Sequence, residues 1–98
     1  MSYDISVGSM SLNYTSNVVP MWDDAMPHLN LRDMDGELGM RCIPYLNDGI
    51  RTMARNVDKY RRMEPANEWG SYEGALSVLV RLITACEDNP HSTVHVHY

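Results

Sequence analysis

Ninety-eight residues of 11.2 kDa, 44% hydrophobic and 21% charged, have the composition of one globular domain and exclude a disordered chain. The formal charge of −5 argues against bulk electrostatic binding of DNA or RNA. Cys42 and Cys86 alone cannot build a disulfide scaffold or a four-cysteine zinc site, and with no Phe but eight Met, six Tyr and two Trp, the core must be filled by those larger side chains.

The chain opens on alternation. Tyr3, Ile5 and Val7 fall on one face and Asp4 and Ser6 on the other, which predicts a half-buried strand ended by Gly8. Met10, Leu12 and Tyr14 repeat the pattern after Gly8-Ser9, so a hairpin with a tight turn is expected. Asn17 is then placed to cap a short helix through Val18, Met21, Trp22 and Met26, with Pro20 tolerable in its first turn and Pro27 as its stop. No basic start followed by an apolar run is present, and no stretch approaches the roughly 20 apolar residues of a membrane span. A cytoplasmic protein with reduced thiols, independent of membranes, is the expectation.

Residues 28–42 carry the turn signals Asp35-Gly36 and Gly39 and are expected to form a loop. The strongest periodicity follows. Ile43, Leu46, Ile50, Met53, Val57 and Tyr60 recur at alternating spacings of three and four, one apolar face of a helix running to about Met63, with Pro44 in its first turn and Pro65 past its end. Gly49 inside it costs about 1 kcal/mol relative to Ala, which points to a close packing contact there. A second amphipathic helix spans about Tyr72 to Glu87, its stripe formed by Tyr72, Ala75, Leu76, Leu79, Leu82, Ile83 and Cys86. Ser71 is its N-cap and Asn89-Pro90 its end. Val94, Val96 and Tyr98 alternate with His95 and His97 as a last strand. These elements predict a small α+β domain over residues 1–98: a short antiparallel sheet from the N- and C-terminal strands, packed on two long helices and one short helix. A terminal edge strand offers a route to a homodimer.

Several constellations invite a chemical reading. His95 and His97 share one side of a strand, as two imidazole ligands do, and Cys86 and His91 lie upstream; the plainer reading is a solvated strand face and a buried thiol. Asp33, Asp35 and Glu37, with Asp23 and Asp24, make an acidic loop, but Gly36 follows Asp33 too closely for an EF-hand. No nucleophile elbow, phosphate-cradling loop or cofactor motif occurs, so neither an enzyme nor a bound cofactor is expected. Acidity is concentrated in residues 1–50, whereas Arg51, Arg55, Lys59 and Arg62 form a basic ridge on one face of the long helix, with Asp48 and Asp58 in reach for weak ion pairs. Trp69, Gly70, Ser71 and Tyr72 open the next helix, where free amides favour an anion and two rings can stack on a planar group.

The run Asn13-Tyr14-Thr15-Ser16-Asn17-Val18-Val19-Pro20-Met21, with Trp69-Gly70-Ser71-Tyr72-Glu73, resembles a family of small bacterial proteins, from actinobacteria and other bacteria and their phages, to which no activity is assigned. The likeness continues through Leu76, Leu79 and Cys86 to Pro90 and Val94. It implies a phage or prophage context, and it implies that the two motifs belong to one structural unit, a small polar and aromatic recess around Asn17, Trp69, Ser71 and Tyr72. The expected function is a non-enzymatic interaction protein whose surface binds a host or phage macromolecule. The alternative is a module for a small anion or nucleotide, even a sequestered signalling nucleotide, held by the Trp69–Tyr72 helix start and the basic ridge. Metal binding through the C-terminal histidines is a minor alternative.

Overall fold

A computed structural model describes residues 1–98: a three-stranded antiparallel sheet and four helices, an α+β domain. In chain order these are β1 (Ser2–Val7), β2 (Met10–Thr15), α1 (Val19–Ala25), α2 (Gly39–Arg55), α3 (Val57–Arg61), α4 (Tyr72–Asp88) and β3 (His95–His97), with short 3₁₀ turns at Ser16–Val18 and Arg32–Met34. The expected hairpin forms: Val7 pairs with Met10, leaving Gly8-Ser9 as the turn, and Gly8 takes a φ of +59°. Positive φ at the first of two turn residues is where glycine is favoured in a twisted hairpin.

The sheet order is β2-β1-β3, so the C-terminal strand lies beside the N-terminal one as expected. Tyr3, Ile5, Val7, Leu12 and Val96 face inward onto the helices, while Asp4, Asn13, His95 and His97 face solvent. Twenty-four hydrophobic residues form one core and no polar residue is buried. Trp22, Tyr60, Met21, Met34 and Met53 are its largest members beside the aliphatics, so Met, Tyr and Trp occupy the space that Phe would otherwise fill. Each buried polar tip has a partner: Trp22 Nε1 donates to the Ala75 carbonyl (3.0 Å) and the Tyr72 hydroxyl donates to the Met53 carbonyl (2.9 Å). Gly49 makes the close contact expected of it, against Met26; a Cβ there would lie 2.6 Å from the Met26 Cγ. The α4 stripe gains Val78 and Ala85, while Leu76 and Ile83 are only half-buried.

Four expectations are corrected. The long helix starts at Gly39, inside the expected loop, so Pro44 lies within it. Its first amides are satisfied from a distance: Gly39 N–H donates to the Ser92 carbonyl (2.8 Å) and Met40 N–H to the Pro90 carbonyl (2.9 Å). No local capping residue marks such a start. The helix also breaks at Asn56 (φ −131°, ψ 48°). The Asn56 side-chain amide donates to the Thr52 carbonyl (2.8 Å), the acceptor its own backbone N–H would have used, and that N–H turns to Met53 instead (3.3 Å). The short helix near residue 19 is introduced by Thr15, whose hydroxyl accepts from Asn17 N–H (3.3 Å), and not by Asn17. Finally, the terminal strand is not an open edge. Val96 N–H donates to Asp35 Oδ1 (2.8 Å), Gly36 N–H to the Val94 carbonyl (2.8 Å) and Val94 N–H to the Glu37 carbonyl (2.7 Å), so residues 35–38 cover β3. No helix is long and apolar enough to cross a membrane.

Candidate functional site

The two motifs that pair in the sequence meet in the fold. Ser71 N–H donates to the Tyr14 hydroxyl (3.1 Å), and the Asn17 side-chain amide donates to the Trp69 carbonyl (3.4 Å). Between α3 and α4 the backbone is bent sharply to achieve this. Glu68 has φ of +63° and Gly70 of +104°. A side chain at Gly70 would meet the Thr15 and Val18 methyls at 2.7 Å, so this close approach requires glycine. The Glu68 conformation costs roughly 1–2 kcal/mol for a residue bearing a Cβ. It is held by Glu68 N–H to the Pro65 carbonyl (3.1 Å) and Trp69 N–H to Asn67 Oδ1 (3.0 Å).

The result is that Trp69 is displayed. Its residue surface is 70% exposed, whereas Trp22 is 1% exposed. Trp69 walls a recess of about 690 Å³ shared with Met1, Ser2, Asn13, Tyr14, Thr15, Asn17 and Asn67, in which side-chain amides and hydroxyls predominate. The sequence pointed to this neighbourhood but misassigned two members. Tyr72 is buried in the core, with the Arg61 guanidinium 5.5 Å over its ring, and Ser71 is a helix cap whose hydroxyl accepts from Gly74 N–H (3.0 Å). Neither lines the recess. Asn13, Tyr14 and Asn67 do, and the motif Asn13–Asn17 was the signal available for the first two.

At this helix start the protein's own groups take three of the amides that an anion would use. Ser71 N–H is taken by Tyr14, Tyr72 N–H by the Glu64 carboxylate (2.8 Å) and Gly74 N–H by the Ser71 hydroxyl. Glu64 occupies the place an anion would take. The basic ridge is also divided. The break at Asn56 puts Arg51 and Arg55 on α2, Lys59 on α3 and Arg62 just past α3. Arg51 and Arg55 border a depression of about 500 Å³ that also holds Asp48 and His28; Arg55, Lys59 and Arg62 border another of about 420 Å³ with Asp58. Neither shares a residue with the Trp69 recess.

Ion pairs differ from expectation too. Lys59 Nζ binds Asp24 (2.8 Å), which also accepts from the Tyr60 hydroxyl (2.7 Å); Asp48 and Asp58 pair with nothing. The Lys59 hydrogen bond, then that of Tyr60, holds the Asp24 carboxyl below its ordinary value. Burial and the same contact raise the Tyr60 hydroxyl. The acidic loop is thereby structural: Asp23 meets Arg32, Glu37 meets Arg41 (2.8 Å), and Asp35 tethers β3.

His95 and His97 lie exposed beside Asp4 and Asp35 on the outer sheet face, along a groove of about 530 Å³. Cys86 is buried in the core and does not join them, and nowhere do three His, Cys, Asp or Glu side chains converge as a metal requires. Burial pushes the Cys42 thiol up to about 12 and that of Cys86 to about 11, which makes both poor nucleophiles.

Fold and site together define a class: a small α+β domain that presents one tryptophan beside a polar recess. No protein-family model, curated protein or solved structure matches the chain.

Proposed function

We propose that this chain is a non-enzymatic interaction protein that binds a macromolecular partner through Trp69 and the recess beside it. The observation that carries the reading is the exposure of Trp69 on a bent, hydrogen-bonded loop. A small core without Phe has every reason to bury an indole, because burying one large apolar side chain is worth several kcal/mol at about 25 cal/mol per Å². This fold instead strains Glu68 to hold one in solvent. Tryptophan is the residue type most enriched among binding hot spots, and a ring with amides around it suits a partner's apolar group flanked by backbone. The buried thiols, and the engagement of Asp24, Asp35, Glu37 and Glu64 within the fold, support a binding role over a catalytic one. The partner proposed is a host or phage protein of a bacterial cell, in keeping with what the resemblance of the Asn13–Met21 and Trp69–Glu73 runs implies.

The test is quantitative capture from bacterial lysates with the native chain and with Trp69→Ala as baits. The substitution removes an exposed ring, so the helical circular dichroism spectrum is expected to persist. A partner held by the native chain and lost from the variant supports the proposal. Equal recovery by both baits defeats it, as does the absence of any partner above background together with no self-association that depends on Trp69.

A further inference from the structure

We infer that the partner seated against Trp69 is a second copy of this chain, joined edge to edge along β2; the inference rests on the reading of Trp69 as a binding anchor.

The sheet has one open edge. Val96 N–H points away from β1 to Asp35, so His95 and His97 are the residues of β3 that face β1, and Ser6 and Asp4 face them. In an antiparallel ladder the groups of successive residues point to opposite sides. Asp4 and Ser6 therefore direct no backbone bonds toward β2, and their opposite numbers Asn13 and Ser11 turn N–H and C=O outward. No backbone or side-chain group meets either amide. Natural edges are blunted by Lys, Pro or a bulge. The β2 sequence Met-Ser-Leu-Asn-Tyr-Thr has none of these and carries no charge.

A second copy fits this edge better than an unrelated strand because the flanks are complementary under a two-fold axis. At the Thr15 end stands Trp69. At the Met10 end a mostly apolar groove of about 320 Å³ runs between β2 and α4, bordered by Met10, Val80, Thr84, Arg81 and Asp88, with Val80 44% exposed. Antiparallel pairing of β2 with its copy brings the Thr15 end of each onto the Met10 end of the other. Each Trp69 then faces the partner's Met10–Val80 groove. The same operation sets the two α4 helices antiparallel. Pairing Ser11 with Asn13 across the axis, about Leu12, satisfies both open amides. Because residues 35–38 cover β3, the pairing closes at two chains and cannot propagate.

Sedimentation equilibrium of the native chain over micromolar to millimolar concentration is expected to show a mass rising from 11.2 kDa to twice that. Amide exchange by NMR is expected to slow at Ser11 and Asn13 as the dimer forms. Trp69→Ala and, separately, Val80→Glu are each expected to weaken association at least about 30-fold, a hot-spot effect of 2 kcal/mol converted at 1.4 kcal/mol per decade. A mass of one chain at every concentration overturns the inference, as does a dimer whose Ser11 and Asn13 amides exchange as fast as in the monomer. In either case lysate capture still decides on Trp69: a partner lost with Trp69→Ala keeps the anchor and changes its occupant, and equal capture removes both.

Discussion

Gly39→Ala exposes how tightly the start of α2 is held. A Cβ at this position would lie 2.7 Å from the Asn89 carbonyl oxygen and 3.3 Å from the Cys86 Cα and carbonyl oxygen, all of them backbone atoms. A side chain can rotate away, but backbone at the end of α4 moves only with the helix. Overpacking of this kind costs about 1–3 kcal/mol. Retreat of α2 would also stretch the Gly39 bond to Ser92, worth about 0.5–1.5 kcal/mol. Against this, replacing glycine lowers the entropy of the unfolded chain by about 0.4–1 kcal/mol. The net expectation is a loss of about 2 kcal/mol, or a fall in Tm of about 8–16 °C for a domain of this size. Urea and thermal unfolding followed by far-ultraviolet circular dichroism measure it. Gly49→Ala is the control: its Cβ meets only the flexible Met26 side chain, at 2.6 and 2.9 Å, and Leu79 at 3.5 Å, so its loss should be smaller. A Gly39→Ala protein as stable as the native one refutes the close approach.

Two further measurements follow from the titrating groups. Asp24 has its carboxyl below the ordinary 3.8 in the fold, so on acidification the unfolded chain takes the proton first. Its contribution is complete above about pH 4 and declines as pH falls through the folded value; urea midpoints between pH 7 and 3 should therefore drop less for Asp24→Asn than for the native chain. Cys42 and Cys86 sit at about 12 and 11 against an ordinary 9.0, so the thiolate belongs to the unfolded chain first and stability declines as pH rises from 9. At pH 8 neither thiol of the native protein should react with a disulfide reagent on the timescale at which both react in urea; rapid native labelling contradicts their burial.

What was legible in the sequence was local. Tyr3-Ile5-Val7 and Met10-Leu12-Tyr14 alternate because one face of their hairpin meets the core, and Ser71 caps α4 through its own hydroxyl. The errors lie where the partner is remote. Gly39 looks like loop punctuation until Ser92 and Pro90 arrive to accept its amide and the next. Asn56 is one polar residue in a good helical period, and its break depends on a side chain competing for the Thr52 carbonyl. At the candidate site, Trp69 and Tyr72 stand out in the motif, but the direction of each ring is not legible in it. Tyr72 turns inward because its hydroxyl finds Met53, and Trp69 turns outward because Glu68 and Gly70 take positive φ.

The order of the strands also bears on how the molecule is made. β1 lies at the centre of the sheet, yet it leaves the ribosome before β2 and well before its other partner β3, with all the helices between β1 and β3. The entropy of closing so long a loop rises only logarithmically, but pairings this distant in sequence slow folding. Until β3 docks, the nascent hairpin has two bare edges in place of one, and the backbone groups of Asp4 and Ser6 stand open with those of Ser11 and Asn13. Asp4 projects from that temporary edge on the solvent face, where its charge repels a second nascent hairpin during synthesis.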